Sequence, residues 1–299
     1  MQVHLPRPVI AILALLLAAP LASAQVSTPV APTLEGQEGL NATLWMQTSA
    51  EASFAAQQAY RLATYQLDKA LRDRNWSAAI EQTDFSKKLP PAIILDIDET
   101  VLDNSPYQAY LVQQDIPYSS ENWENWVSQS AAPAIPGAAK FLAYAAKKGV
   151  QIFYVSNRGI REEAATRENL RRVGFPLQGP EDHVLMNGEM PGWTSDKTTR
   201  RSFLAQKYRL LLLFGDDLND FVTAKPRSVQ ERFALLTKYE PYLGERWIVI
   251  SNPLYGSWES AILNFENGLS PDEILRRKYG QLRVMKPVAA LPNTSTATR

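Results

Sequence analysis

The sequence predicts an α/β fold: a parallel sheet flanked by helices, with an amino-terminal helical segment and a small insertion beside the strand ends. Three observations carry this. Five short apolar runs alternate with longer helical stretches, as a parallel sheet built from crossover units requires. The runs are continuous rather than alternating, the pattern of strands covered on both faces. The first and fourth runs end in carboxylates, Asp96 with Asp98 and Asp216 with Asp220, at the strand ends where open α/β sheets bind ligands.

Residues 1–24 read as an export signal. Arg7 and the amino terminus supply charge, Val9 to Ala19 are apolar, and Ala22-Ser23-Ala24 forms a cleavage site before Gln25. The run is too short for a comfortable membrane span, and no cysteine follows it to take a lipid. The expectation is a periplasmic or secreted protein with no stable membrane anchor. Residues 25–39 form a Pro-containing lead-in. Residues 40–85 are expected to be helical, with Leu44, Phe54, Leu62, Tyr65 and Leu71 broadly at helical spacing, continuing towards Ile80. That segment is either a wall of the site or a homodimer contact.

Pro90-Pro91 closes it and opens the α/β core, residues 90–280 of a domain spanning 40–283. Strands are predicted at Ala92–Asp96, Val150–Ser156, His183–Met186, Leu210–Phe214 and Trp247–Ile250. Helices are predicted at Gly137–Lys148, Arg161–Val173, Thr198–Lys207 and Asp220–Phe233. Residues 103–135 carry Tyr107, Tyr110, Tyr118, Trp123 and Trp126 and read as a compact insertion, its tryptophans packing it onto the core. Residues 284–299, rich in Pro, Ala, Ser and Thr, are expected to form a disordered tail.

Composition removes several functions. The chain of 299 residues balances 31 basic against 31 acidic side chains, so no net field draws it to a nucleic acid polymer. It has no cysteine, which excludes disulfides, a thiol nucleophile and thiolate metal sites. Its two histidines, His4 in the leader and His183 at a strand start, cannot build a His-based triad or a zinc cage.

What remains is carboxylate chemistry. Two acids one residue apart at a strand mouth hold a cation or share a proton. Ser156 and Arg158 end the second strand, Lys197 precedes a helix, and Asp216, Asp217 and Asp220 follow the fourth strand. Phosphoryl transfer needs these groups: an in-line nucleophile, donors and positive charge for the non-bridging oxygens, and oxygen ligands for Mg²⁺. Singly, each has a structural alternative: Asp98, Ser156, Asp216, Asp217 and Asp220 could cap or start helices, and Lys197 could be a solvated surface lysine. An EF-hand reading of Asp96–Tyr107 fails at Val101, where Gly is required, and at Tyr107, where Glu is.

Asp96-x-Asp98-x-Thr100-Val101, Ser156, Lys197 and Gly215-Asp216-x-x-x-Asp220, in that order, resemble the four motifs of the haloacid dehalogenase-like (HAD) phosphohydrolases. The longer strings from Leu95 to Ser105, Val155-Ser-Asn-Arg158, Gly215 to Phe221 and Asn252-Pro-Leu-Tyr-Gly-Ser-Trp-Glu259 are similar to the class C acid phosphatases, the group that includes the lipoprotein e(P4) nucleotidases. The resemblance covers roughly residues 40–280. It implies Asp96 as nucleophile and Mg²⁺ ligand, and Asp98 as general acid and base with its carbonyl on the metal. Ser156, Asn157 and Lys197 would hold the phosphoryl group, and Asp216 and Asp220 would complete the metal site. Asn104, Tyr107 and Tyr255 are candidates for the leaving-group pocket. The implied activity is Mg²⁺-dependent acid hydrolysis of small phosphomonoesters, 5′-nucleotides included. A phosphotransferase using the same intermediate, or a non-catalytic storage protein of the same fold, are the alternatives.

Overall fold

The computed structural model describes Met1 and residues 38–84, 88–177 and 179–284. The expected signal peptide, nearly all of the lead-in and nearly all of the carboxyl-terminal tail lie outside the described residues. Five parallel strands form one sheet: β1 (Pro91–Leu95), β2 (Gln151–Gly159), β3 (Val184–Asn187), β4 (Arg209–Gly215) and β5 (Trp247–Val249), in the order β3-β2-β1-β4-β5. The doubly apolar runs thus became a sheet with both faces covered. β1, the strand with the catalytic-type motif, is central and bonded to β2 and β4.

Alternation along β1 divides the core. Ile93 and Leu95 join Tyr60, Leu67, Phe141 and Phe214 on one face, while Ala92 and Ile94 join Phe153, Leu213 and Trp247 on the other. The first face is covered by α2 (Ala50–Arg72), which follows α1 (Leu40–Thr48) and buries a stripe of Ala52, Ala56, Tyr60, Ala63, Leu67 and Ala70. These positions recur every three or four residues, one side of a helix. Ser49 caps α2 by accepting the Ala52 N–H at 3.0 Å.

The helix does not run on to Ile80. The Asp73 side chain accepts the Asn75 N–H, and the chain turns so that the Trp76 indole donates to the Leu211 carbonyl at 2.7 Å and Ala78 N–H to that of Leu210. Burying a large indole with its donor satisfied outweighs one more helical turn.

The insertion contains two helices, α3 (Ser105–Gln114) and α4 (Ser120–Ser128), the second opened by a Ser119–Asn122 capping box. α5 (Ala138–Lys147), α6 (Glu163–Arg172) and α7 (Thr198–Ala205) follow the expected crossovers to within a few residues. The helix expected over 220–233 is displaced. A short 3₁₀ turn at Leu218–Asp220 is followed by irregular chain through Pro226, and α8 (Val229–Lys238) begins only after the Ser228–Glu231 capping box. Proline disfavours helix at the residue before it and removes a donor. Two further helices, α9 (Ser257–Ile262) and α10 (Pro271–Gly280), end the described chain. No helix among the described residues is long and apolar enough to cross a membrane.

Candidate active site

The mouth of β1 splits its two aspartates. Asp96 still belongs to the sheet, its N–H bonded to the Phe214 carbonyl at 3.1 Å. The Ile97 carbonyl then gathers the N–H groups of Thr100, Val101 and Leu102, and Glu99 takes a left-handed conformation with φ 55°. That turn sends Asp98 away from Asp96.

Asp96 faces Asp216 and Asp220, delivered by the end of β4 and the turn after it. One carboxylate oxygen from each lies within 4.8 Å of the others. Gly215 makes the approach possible, because a β-carbon there would sit 2.2 Å from an Asp220 oxygen. Thr100 Oγ1 donates to Asp216 at 3.3 Å, and the Asn252 amide donates to its other oxygen at 2.8 Å. The Lys197 ammonium, at the start of α7, bonds Asp96 and lies 2.7 Å from Asp220.

Burial dominates the charge balance of this cluster. It pushes Asp96 up to about 7, against the lowering pull of Lys197 and with the help of Asp220 and Asp98. Asp216 is driven well above the carboxylate range by burial, then by Asp220 and Asp96. Burial alone would depress Lys197, yet Asp220 and Asp96 hold its ammonium above the ordinary lysine value. Three hard oxygen donors, two buried and one partly buried, short of positive charge, suit a divalent cation. Asp217 stands apart. Burial alone would raise it, but the N–H groups of Asn219 and Ser257, the Ser257 hydroxyl and Arg232 hold it low, so it ties α9 to the β4 loop.

Asp98 has other company. Arg158, from β2, meets its carboxylate through Nη2 at 2.7 Å and Nε at 3.1 Å, and Asn104 donates to it at 2.8 Å. Ser156 is fully buried, its hydroxyl accepting the Arg158 N–H at 3.0 Å. The Asn157 carboxamide bridges the Ser195 carbonyl and Arg200, and Arg200 also holds the Ser156 carbonyl.

The structure therefore brings Asp96, Asp216, Asp220 and Lys197 into one cluster, while Asp98 is held by Arg158 and Asn104, and Ser156 and Asn157 by Arg158 and Arg200. It places Asn104 and Tyr107 beneath the surface, 0% and 2% exposed. Asn104 braces carboxylates, and the Tyr107 hydroxyl donates to Asn122 at 2.5 Å. Tyr255 is partly exposed and donates its hydroxyl to the buried Glu99. In the sequence Arg158 stood out only as a charge at a strand end, and Glu99, Thr100 and Asn252 carried no assigned role. Each lies inside or beside a motif string, but nothing local tells which side chain it will meet.

Comparison with known proteins follows the same line. Residues 25–258 match the family described as HAD superfamily, subfamily IIIB (acid phosphatase). A class C acid phosphatase from Bacillus anthracis is 35% identical, with a TM-score of 0.74 over 84% of this chain and 99% of that one. A crystal structure of the class C enzyme from that organism with tungstate bound gives 0.75 over 85% and 99%. Among curated proteins, acid phosphatase 1 of Solanum lycopersicum is 29% identical over 136 residues, 43% of this chain and 51% of its own. A stem 28 kDa glycoprotein of Glycine max is 29% identical over 139 residues, 43% of this chain and 52% of its own. The match thus spans about half the length of those plant relatives.

Proposed function

Because the chain belongs to the HAD superfamily, subfamily IIIB acid phosphatases, we propose that it hydrolyses small phosphomonoesters, 5′-nucleotides among them, through a phosphoryl group carried on Asp96. The observation that carries this is the convergence of Asp96, Asp216 and Asp220 around Lys197 at the carboxyl end of the central strand.

The chain's own groups divide the work. In the first displacement a carboxylate oxygen of Asp96 bonds to phosphorus as the ester P–O bond breaks, and the departing oxygen takes a proton from Asp98. In the second, Asp98, now a carboxylate, takes a proton from water as the water oxygen bonds to the same phosphorus. The bond from Asp96 to phosphorus breaks, which regenerates the Asp96 carboxylate and frees inorganic phosphate. Lys197 offsets negative charge next to Asp96, while the Ser156 hydroxyl and Asn157 orient the phosphoryl oxygens. Asp96, Asp216 and Asp220, with the Asp98 carbonyl, would hold Mg²⁺, whose charge relieves repulsion between Asp96 and an anionic substrate. The tungstate bound by the Bacillus anthracis relative, a tetrahedral oxyanion, supports a phosphate-shaped site here. The leader-like first residues support an exported protein, and the balanced charge argues for a small-molecule substrate.

The test is phosphate release from p-nitrophenyl phosphate and 5′-AMP at pH 5–7, with Mg²⁺ and with EDTA. Turnover that needs the metal and falls at least about 10³-fold in Asp96→Asn is expected. A folded protein that releases no phosphate, or an Asp96→Asn variant that keeps the wild-type rate, would overturn the reading.

A further inference from the structure

Trp123 and Trp126 sit three residues apart on α4, and therefore on neighbouring positions of one helix face. They meet the two residues that hold Asp98. The Trp126 indole donates to Asn104 Oδ1 at 2.8 Å, and the Arg158 guanidinium lies 5.4 Å from the Trp123 ring centroid. An indole N–H only donates. The Asn104 oxygen must therefore face α4, which turns its amide hydrogens towards Asp98 Oδ1 at 2.8 Å and Glu99 at 3.2 Å. Flipped, the same carboxamide would set its oxygen against two acids. Arg158 is likewise fixed from behind, through Nη1 on Thr166 at 3.1 Å. Oδ1 of Asp98 receives three of these contacts, from Arg158 Nη2, Arg158 Nε and Asn104, whereas Oδ2 receives Nε at 3.2 Å.

We propose that α4 is a positioning element for the proton-transfer residue: Trp126, through Asn104, and Trp123, behind Arg158, aim Asp98 so that Oδ2 is the oxygen that gives and takes the proton. This rests on the hydrolytic reading above and deepens it. The insertion is then part of the acid–base machinery. A misaimed proton donor hurts most when the departing oxygen is a poor leaving group, because such an oxygen needs the proton as the bond breaks.

The experiment compares Trp126→Phe, which keeps the ring and removes the donor, with wild type on β-glycerol phosphate and p-nitrophenyl phosphate. Thermal melting verifies the fold, and Asp98→Asn sets the full size of the effect. Trp126→Phe should lower kcat/KM, which reports the step in which the ester P–O bond breaks, about tenfold on the alkyl ester and less than about twofold on the aryl ester. Arg158→Lys, which keeps the charge and loses the fork, should shift the ratio the same way; if it does not fold, Trp126→Phe alone decides. Equal losses on both esters, or no loss, would overturn the proposal and leave α4 a packing element. If Asp98→Asn itself fails to discriminate between the esters, the acid assignment falls and the brace with it. If wild type releases no phosphate at all, the hydrolytic reading fails first.

Discussion

Asp96 and Asp98 are two residues apart in the chain and occupy opposite electrostatic settings. Asp96 enters a buried crowd of acids in which Lys197 supplies balancing charge. Asp98 turns to the other side of the strand mouth, where a guanidinium and a carboxamide grip it. Burial with too little compensation favours a neutral acid or a bound cation, whereas a hydrogen-bonded ion pair fixes geometry. Spacing alone places both acids at one strand end. Partners drawn from distant loops decide what each does there.

The contrast breaks most visibly at Lys197. Lys197→Met removes the ammonium from the acidic side and leaves Asp98 untouched; turnover of p-nitrophenyl phosphate should fall about 10²–10³-fold at saturating Mg²⁺. A loss below about threefold would mean that the cation alone balances the cluster.

A second test reads the acidic side through stability. The carboxyl of Asp96 rises from an ordinary 3.8 to about 7 on folding, mainly by burial, and Asp216 moves the same way. A raised acid binds more protons folded than unfolded, so its contribution is complete below about pH 4 and is lost as pH rises through about 7. Metal-free protein should therefore lose on the order of 5 °C in Tm across that window. Added Mg²⁺, by favouring the ionised acids, should flatten the slope. Melting curves at several pH values with and without the metal check this, and an unchanged slope would contradict the cation site.

The smallest effect is expected at the edge of the mouth. Tyr255→Phe keeps the ring and removes the donor to Glu99, which should cost about 1 kcal/mol in stability. KM for 5′-AMP should stay near wild type if the ring, not the hydroxyl, faces the leaving group. Chemical denaturation and steady-state kinetics separate the two.

The parts legible in advance were those whose signal is local. Ile93 to Leu95 and Leu210 to Phe214 are apolar on both faces and read as buried strands without ambiguity. Asp96, Asp216 and Asp220 stood out because strand ends concentrate chemistry, whereas Lys197, which alone reads as a surface lysine, stood out only through the family resemblance of the four motifs together. The helix expected over 220–233 was misplaced because the acids after β4 imitate a helix start, while Asn219 spends its side chain on the Ala224 N–H and Pro226 delays the true one. The helices of the insertion were hidden by scattered aromatic residues. Arg158 meeting Asp98 across 60 residues, and Trp126 meeting Asn104 across 22, leave no trace in local pattern.

The central place of β1 also governs how the molecule comes into being. Its Pro91–Leu95 ribbon pairs on one side with β2 and on the other with β4, and Thr100 reaches Asp216 across a separation of 116 residues. At ordinary ribosomal speed the second neighbour emerges roughly ten seconds after the first strand. Until then the nascent chain carries an unpaired apolar edge that invites wrong partners, a burden for whatever chaperones attend it. A fragment released before residue 209 contains neither the acidic cluster nor a closed sheet, so a prematurely terminated product is chemically silent by construction.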